Sequence, residues 1–160
     1  MHIISFFVAN KPGVLVRIAQ VFARRGFNID SLVVSASFDQ RYSRMTVTAS
    51  GDLATLEQII KQSAKLVDVL HVSEHTGIDA VGSEYALLKV KASPSHKKTI
   101  LTLCKKFHTH ILDTSDNILI VSQGGTTEEL DQFENLVKKY GILEMVRSGK
   151  LVMAKGRKTT

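Results

Sequence analysis

One order of elements runs through this chain twice, and that repetition limits the fold more than any single motif. The run HIISFFVA (2–9) is short and apolar and ends before Pro12-Gly13, which predicts a buried strand. From Val14, apolar residues recur as Leu15, Ile18, Ala19 and Phe22, while Arg17, Gln20 and Arg24 take the other face, the spacing of an amphipathic helix. Arg24 and Arg25 suit its C-terminus, and Gly26 suits the left-handed position past it. Leu32, Val34, Ala36 and Phe38 then alternate with Val33, Ser35 and Ser37. After a turn at Asp39-Gln40-Arg41, Met45, Val47 and Ala49 alternate with Arg44, Thr46 and Thr48. Gly51-Asp52 opens a second helix, with Asp52 as N-cap and Leu53, Leu56, Ile59 and Ile60 as its stripe. LVDVLHV (66–72) closes the half as a strand.

HTGIDAVGS (75–83) breaks the pattern and marks a boundary, giving domains 1–76 and 77–160. The order then returns. YALLKVKA (85–92) is a strand, HKKTILTLCKKF (96–107) a helix, HILDTS (110–115) and NILIVSQ (117–123) strands, TEELDQFENLVKKY (127–140) a helix and ILEMVRS (142–148) a strand. Gly124-Gly125 and Gly141 mark turns, and Thr126 or Thr127 caps the second helix. Identity between the halves is low, so the repeat is one of structure. The fold class is α+β: two ferredoxin-like βαββαβ domains in tandem, each an antiparallel sheet with its helices on one face. The other face carries no helix and is free to be solvated. In the first half it bears either the Val33/Ser35/Ser37 side with Arg44, Thr46 and Thr48, or the opposite side. Its mixed character points to partial burial, and self-association is the expectation.

Composition excludes several classes. Hydrophobic residues make up 44% of the 160, enough for a core, yet no apolar run approaches the ~18 residues of a membrane span. The N-terminus lacks the leader and cleavage site of a signal peptide. The single cysteine, Cys104, rules out an intrachain disulfide and suits a reducing compartment; a cytoplasmic protein without membrane partners is expected. The net charge is +6, with 8 Lys/Arg against 6 Asp/Glu in residues 1–77 and 13 against 9 in residues 78–160. Lys155, Arg157 and Lys158 in the tail KGRKTT account for most of the second excess, so no broad basic face is built and no nucleic-acid partner is expected. The element order also fits an RNA-recognition module, which stacks bases on sheet aromatics. RYSRMTVTA, however, has an aromatic near its start and none at its centre, and of the adjacent Phe6 and Phe7 only one can face the open side. Lysine pairs at 97–98, 105–106 and 138–139 read as solvated helix faces. Cys104 and His108 are spaced i, i+4, with His110 nearby, but a structural metal site takes about four ligands and only His96 adds to the set; no metal is expected. No nucleophile–base spacing and no Gly-rich phosphate loop points to catalysis.

The chemistry concentrates in NKPGVLVRIAQVFARRGFNIDSL (10–32). The first N–H groups of a helix lack intrahelical partners and sit at its positive dipole end, a ready site for an anion. Gly13 permits close backbone approach and Pro12 stiffens the loop. An α-amino acid needs N–H donors for its carboxylate, oxygens for its ammonium and an apolar wall for its side chain. Asn10, the 13–15 backbone and Asn28 offer the polar part, Val14, Leu15 and Ile29 the wall, and Asp30 is a candidate ammonium partner. The plainer reading makes Asn-Lys-Pro-Gly a strand-to-helix turn and lets Asn28 satisfy its own backbone after Gly26.

The same stretch resembles the opening of an ACT domain, a small-molecule-sensing βαββαβ module. More narrowly, it is similar to the regulatory small subunit of acetolactate synthase. The resemblance continues through Ser43-Arg44-Met45-Thr46-Val47 and QSAKLVDVLHV (62–72). In the second half it runs through Leu87-Leu88-Lys89-Val90, Leu112-Asp113 and Val146-Arg147-Ser148-Gly149. Val16 stands where that family often has Ser, the turn between Asp113 and Ile118 is short and lacks a Pro, and the helix 96–107 diverges most. The resemblance implies a non-catalytic regulatory subunit that activates the large catalytic subunit of acetolactate synthase. It also implies feedback inhibition by valine or another branched-chain amino acid. The cofactors implied, thiamine diphosphate, Mg2+ and FAD, belong to the catalytic partner and none to this chain. The implied effector contacts are Asn10, Lys11, Pro12, Gly13, Val14 and Leu15 from one chain, facing Asn28 and Ile29 of a second chain across a homodimer's two-fold. A free-standing ACT-type amino-acid sensor serving another enzyme or a transcriptional partner is the alternative.

Overall fold

A computed structural model describes residues 1–75, 80–157 and 160. In chain order the elements are β1 (His2–Ala9), α1 (Val14–Arg24), β2 (Asn28–Ala36), β3 (Tyr42–Ser50), α2 (Leu53–Ser63) and β4 (Val69–Glu74), followed by β5 (Ala80–Lys91), α3 (Pro94–Lys106), β6 (His110–Ser115), β7 (Ile118–Gly125), α4 (Thr127–Lys138), β8 (Ile142–Arg147) and β9 (Leu151–Ala154). The expected pair of ferredoxin-like βαββαβ folds is present. Strand order is β2-β3-β1-β4 in the first sheet and β6-β7-β5-β8 in the second, with β9 paired to β5 off that path. Two compact units result, Met1–Gly82 with Gly149–Thr160, and Ser83–Ser148. The boundary expected between residues 76 and 77 falls within 76–79, outside the described residues.

In the first unit, α1 turns Val14, Ile18, Val21 and Phe22 inward onto Ile4, Phe6 and Val8 of β1 and Met45, Val47 and Ala49 of β3, all in one core cluster. Phe6 and Phe22 meet edge to face, their centroids 6.4 Å apart. The helix ends as its sequence predicts. Gly26 takes φ 64°, its N–H reaches the Ala23 carbonyl, and the Phe27 N–H reaches that of Phe22, the Schellman arrangement. Asp52 caps α2 by accepting from the Thr55 N–H at 2.8 Å; that backbone hydrogen bond holds the Asp52 carboxyl below its ordinary range. In the second unit, Leu88, Val90, Leu119 and Val121 of the sheet bury Ile100, Leu130, Phe133 and Val137 of the helices. Thr126, the nearer of two expected caps, makes a full capping box with Glu129.

Several local expectations need correction. Leu53 is outside the α2 stripe, 57% exposed, because it sits at the helix start. The last strand of the first half begins at Val69; residues 66–68 turn instead, with the Val69 N–H bonded to the Leu66 carbonyl and the Ala9 N–H to that of Asp68. Ala80–Ser83 continue into β5 where a break was expected. Gly124 and Gly125 are strand residues paired with Tyr85 and Glu84. The turn between β6 and β7 is made by Asp116 (φ 50°) and Asn117 (φ 60°), the two-residue geometry whose twist suits a tight hairpin. LVMA, which lies outside both expected βαββαβ sets, is β9. The helix-free face of the first sheet, by contrast, is partly buried, as its mixed character implies. Thr46 and Thr48 are buried, Gly149 lies against Ser31 and Val33, and Arg44 donates to a main-chain oxygen of Thr160. Part of that burial therefore comes from the chain's own later residues.

Candidate functional site

The loop from β1 to α1 is shaped before any ligand is considered. Asn10 is exposed; its side-chain Nδ2 donates to the Gln40 carbonyl at 2.9 Å, and its backbone N–H to the Arg41 carbonyl at 2.8 Å. Those two carbonyls belong to a turn that is itself pinned. Arg41 Nη2 reaches Asp39 Oδ2 at 2.6 Å, and hydrogen bonding to Arg41 holds the Asp39 carboxyl below its ordinary range. Gly13 is the N-cap of α1 at φ 83°, ψ −9°, without a side-chain cap. A Cβ there would lie 3.2 Å from Arg17 Nη1, and Arg17 is engaged with Asp68. The left-handed Gly13 leads into the helix beside an exposed Lys11 and Pro12, and the Val14 N–H turns back to the Lys11 carbonyl at 3.4 Å.

The expected wall divides. Val14 is 2% exposed and belongs to the core, whereas Leu15 is 41% exposed and Val16 57%; the apolar surface beside the loop is made by Leu15 and Val16. Ile29 packs partly against the core. Asn28 is exposed and donates from Nδ2 to Asp30 Oδ1 at 3.0 Å, while Ser50 Oγ donates to Asp30 Oδ2 at 2.5 Å. The Asp30 carboxylate is thus the orienting group for the Asn28 amide. That role was hidden in the sequence, because Ser50 arrives through strand pairing.

Within one chain the two halves of the site are far apart. Ala9, just before Asn10, pairs with Tyr42, and Asn28 pairs with Ser50. The strand between those partners runs from Tyr42 to Ser50, about 26 Å at a strand's rise of about 3.3 Å per residue. Asn10 through Leu15 form one cluster, and Asn28 with Ile29 another at the opposite end of the sheet. β2, which carries the second cluster, is an edge strand and exposes Val34.

Elsewhere, Cys104 is buried and burial pushes its thiol up, the state of an unreactive cysteine. His108 and His110 are exposed. Among the described residues no group of three or more His, Cys, Asp or Glu is placed to hold a metal, and no helix is long and apolar enough to cross a membrane. The second unit holds a polar cluster that sequence reasoning did not find. Glu84, 6% exposed, accepts from Arg147 Nη2 at 2.7 Å and from the Thr127 hydroxyl. Arg147 Nη1 also reaches Asp131 at 2.6 Å.

Comparison with known proteins bears on both units. A family model described as the AHAS small subunit-like ACT domain matches residues 4–71, and one described as the small subunit of acetolactate synthase matches residues 83–156. The chain is 41% identical, over 98% of each length, to a probable acetolactate synthase small subunit of Archaeoglobus fulgidus. It is 37% identical to the acetolactate synthase small subunit of Mycolicibacterium smegmatis, covering 97% of this chain and 91% of that one. The crystal structure of the acetolactate synthase small subunit from Thermotoga maritima superposes with a TM-score of 0.89 at 36% identity, covering 98% of both chains.

Proposed function

Because the chain belongs to the acetolactate synthase small-subunit family, we propose that it is the regulatory, non-catalytic partner of the thiamine-diphosphate-dependent large subunit, which it activates and renders inhibitable by valine. The observation that carries the effector part is the separation of Asn10 and Asn28 to opposite ends of one sheet. No ligand of amino-acid size spans that distance, so a site using both needs two chains. Ala36, the far end of β2, pairs with Ser43, next to Tyr42 and hence to the Asn10 end of the sheet. Antiparallel pairing of two β2 edges about a two-fold axis would bring Asn28 and Ile29 of the second chain to the loop 10–15 of the first. α1 supports this, since it leads from the end of β1 to that same edge strand. The carboxylate of a bound valine would face the N–H groups after Gly13, its ammonium the amide oxygens, and its side chain Leu15 and Ile29.

In this reading residues 1–76 bind effector and form the homodimer, residues 77–160 tune the response or dock the catalytic subunit, and the complex works in the cytoplasm. Valine must favour one arrangement of the assembly over another by about 1–3 kcal/mol, and the catalytic subunit must change valine affinity by the same factor. Reconstitution with the catalytic subunit tests it. Asn28→Ala is expected to keep activation and to raise the valine concentration needed for inhibition by about tenfold or more. Wild-type sensitivity in that variant would remove Asn28 from the site.

A further inference from the structure

We propose that Gly149 positions the strand that bears Asn28 and Ile29, so that a residue late in the chain sets how well the effector crevice forms; this rests on the effector reading above. Gly149 packs in the first unit although it falls in the stretch matched by the second family model. Its backbone is left-handed, at φ 80°, and a Cβ there would stand 2.7 Å from Ser31 Oγ, 2.8 Å from Ser31 Cβ and 3.5 Å from a Val33 methyl. No side chain fits without displacing Ser31. Ser31 has little freedom to yield, because its Oγ lies 2.6 Å from Thr48 Oγ1 on a strand paired to β3.

The consequence for the site follows from register. β2 shifts against β3 between Ile29 and Ser31, which leaves Asp30 as the unpaired residue of a bulge, a device that re-aims neighbouring side chains. Asp30 holds the Asn28 amide at 3.0 Å and is held by Ser50 at 2.5 Å. Gly149 therefore bears on Ser31, Ser31 closes the bulge, and the bulge aims Asn28. Gly156 supplies the control. It is also left-handed, at φ 70°, but among the described residues a Cβ there would meet nothing within 4 Å.

The test uses the full chain as Gly149→Ala, Gly156→Ala and the double variant Gly149→Ala/Ser31→Gly. Each is titrated calorimetrically with valine, leucine and isoleucine, and the amide chemical shifts of residues 28–31 are recorded by NMR. Gly149→Ala is expected to shift those amides and to bind about tenfold more weakly or worse, since a misplacement of about 1 Å suffices for such losses. Gly156→Ala is expected to leave both readouts near wild type, and the double variant to recover affinity. Equal behaviour of the two single variants, or no recovery in the double, overturns the proposal. If Gly149→Ala does not fold, recovery of folding and affinity in the double variant decides it. If the wild-type chain binds none of the amino acids, the effector reading falls, and the amide shifts of residues 28–31 alone decide whether Gly149 positions β2.

Discussion

At the residue scale, the candidate site depends on groups that hold its side chains in place, main-chain carbonyls among them. The Asn10 amide is set by the carbonyl of Gln40, and that of Asn28 by Asp30. The amides are legible in the sequence as hydrogen-bonding groups near a helix start; their holders are not, since each arrives through the path of the chain. His75 illustrates a cost of such placement. Its Nε2 lies 2.6 Å from Ser5 Oγ, and burial, then the nearby His71, keep it below its ordinary value of 6.5. Above 6.5 the folded and unfolded chains both hold it neutral, so it contributes no slope. As pH falls through 6.5 the unfolded chain takes up the proton first, and stability is lost until the folded group also titrates. Denaturant unfolding of wild type and His75→Asn at intervals between pH 7.5 and pH 5 is expected to show a shallower loss in the variant. Parallel curves would exclude His75 as a source of the slope.

At the element scale, periodicity and caps identified the principal helices and strands, because those features are written within a few residues of where they act. Several of the corrected expectations share a cause. Gly82, Gly124 and Gly125 read as punctuation in the sequence, yet each lies within a strand, where pairing partners outweigh the local preference of glycine for turns. The joint between β5, β8 and α4 is also invisible locally. Glu84 of β5 pairs with Gly125 of β7, Arg147 ends β8 and Asp131 lies on α4, and the three meet as one network. Arg147→Met removes the cation and leaves the Glu84 carboxylate buried without its charge partner, beside the Thr127 hydroxyl. The expected loss is about 3 kcal/mol, the cost of orphaning one member of a buried pair. Chemical denaturation monitored in the second unit measures it, and Glu84→Gln/Arg147→Met is expected to recover part of the loss. A variant as stable as wild type would mean that the network contributes little.

At the scale of the whole molecule, the division into units does not follow the chain. Residues 149–160 return to the first unit after the second is complete, bringing Gly149 to Ser31 and Thr160 to Arg44, while β9 pairs with β5. Cutting after residue 76 should therefore remove cover from the first sheet, whereas replacing residues 83–148 with a short Gly/Ser linker should keep it. The linker-joined chain is expected to unfold cooperatively and to bind little hydrophobic dye, and the fragment 1–76 to bind more and melt lower; equal behaviour of the two would show that the last residues add nothing. What the sequence by itself determined was the βαββαβ order of each half, both ends of α1, the start of α2 and the ferredoxin-like class, since each is encoded by spacing or by neighbours along the chain. Only the tertiary structure decided that Asn10 and Asn28 stand at opposite ends of a sheet, that Glu84 meets Arg147 and that Gly149 presses on β2. Contacts between distant segments depend on how strands pair and where the chain returns, and no local pattern records that.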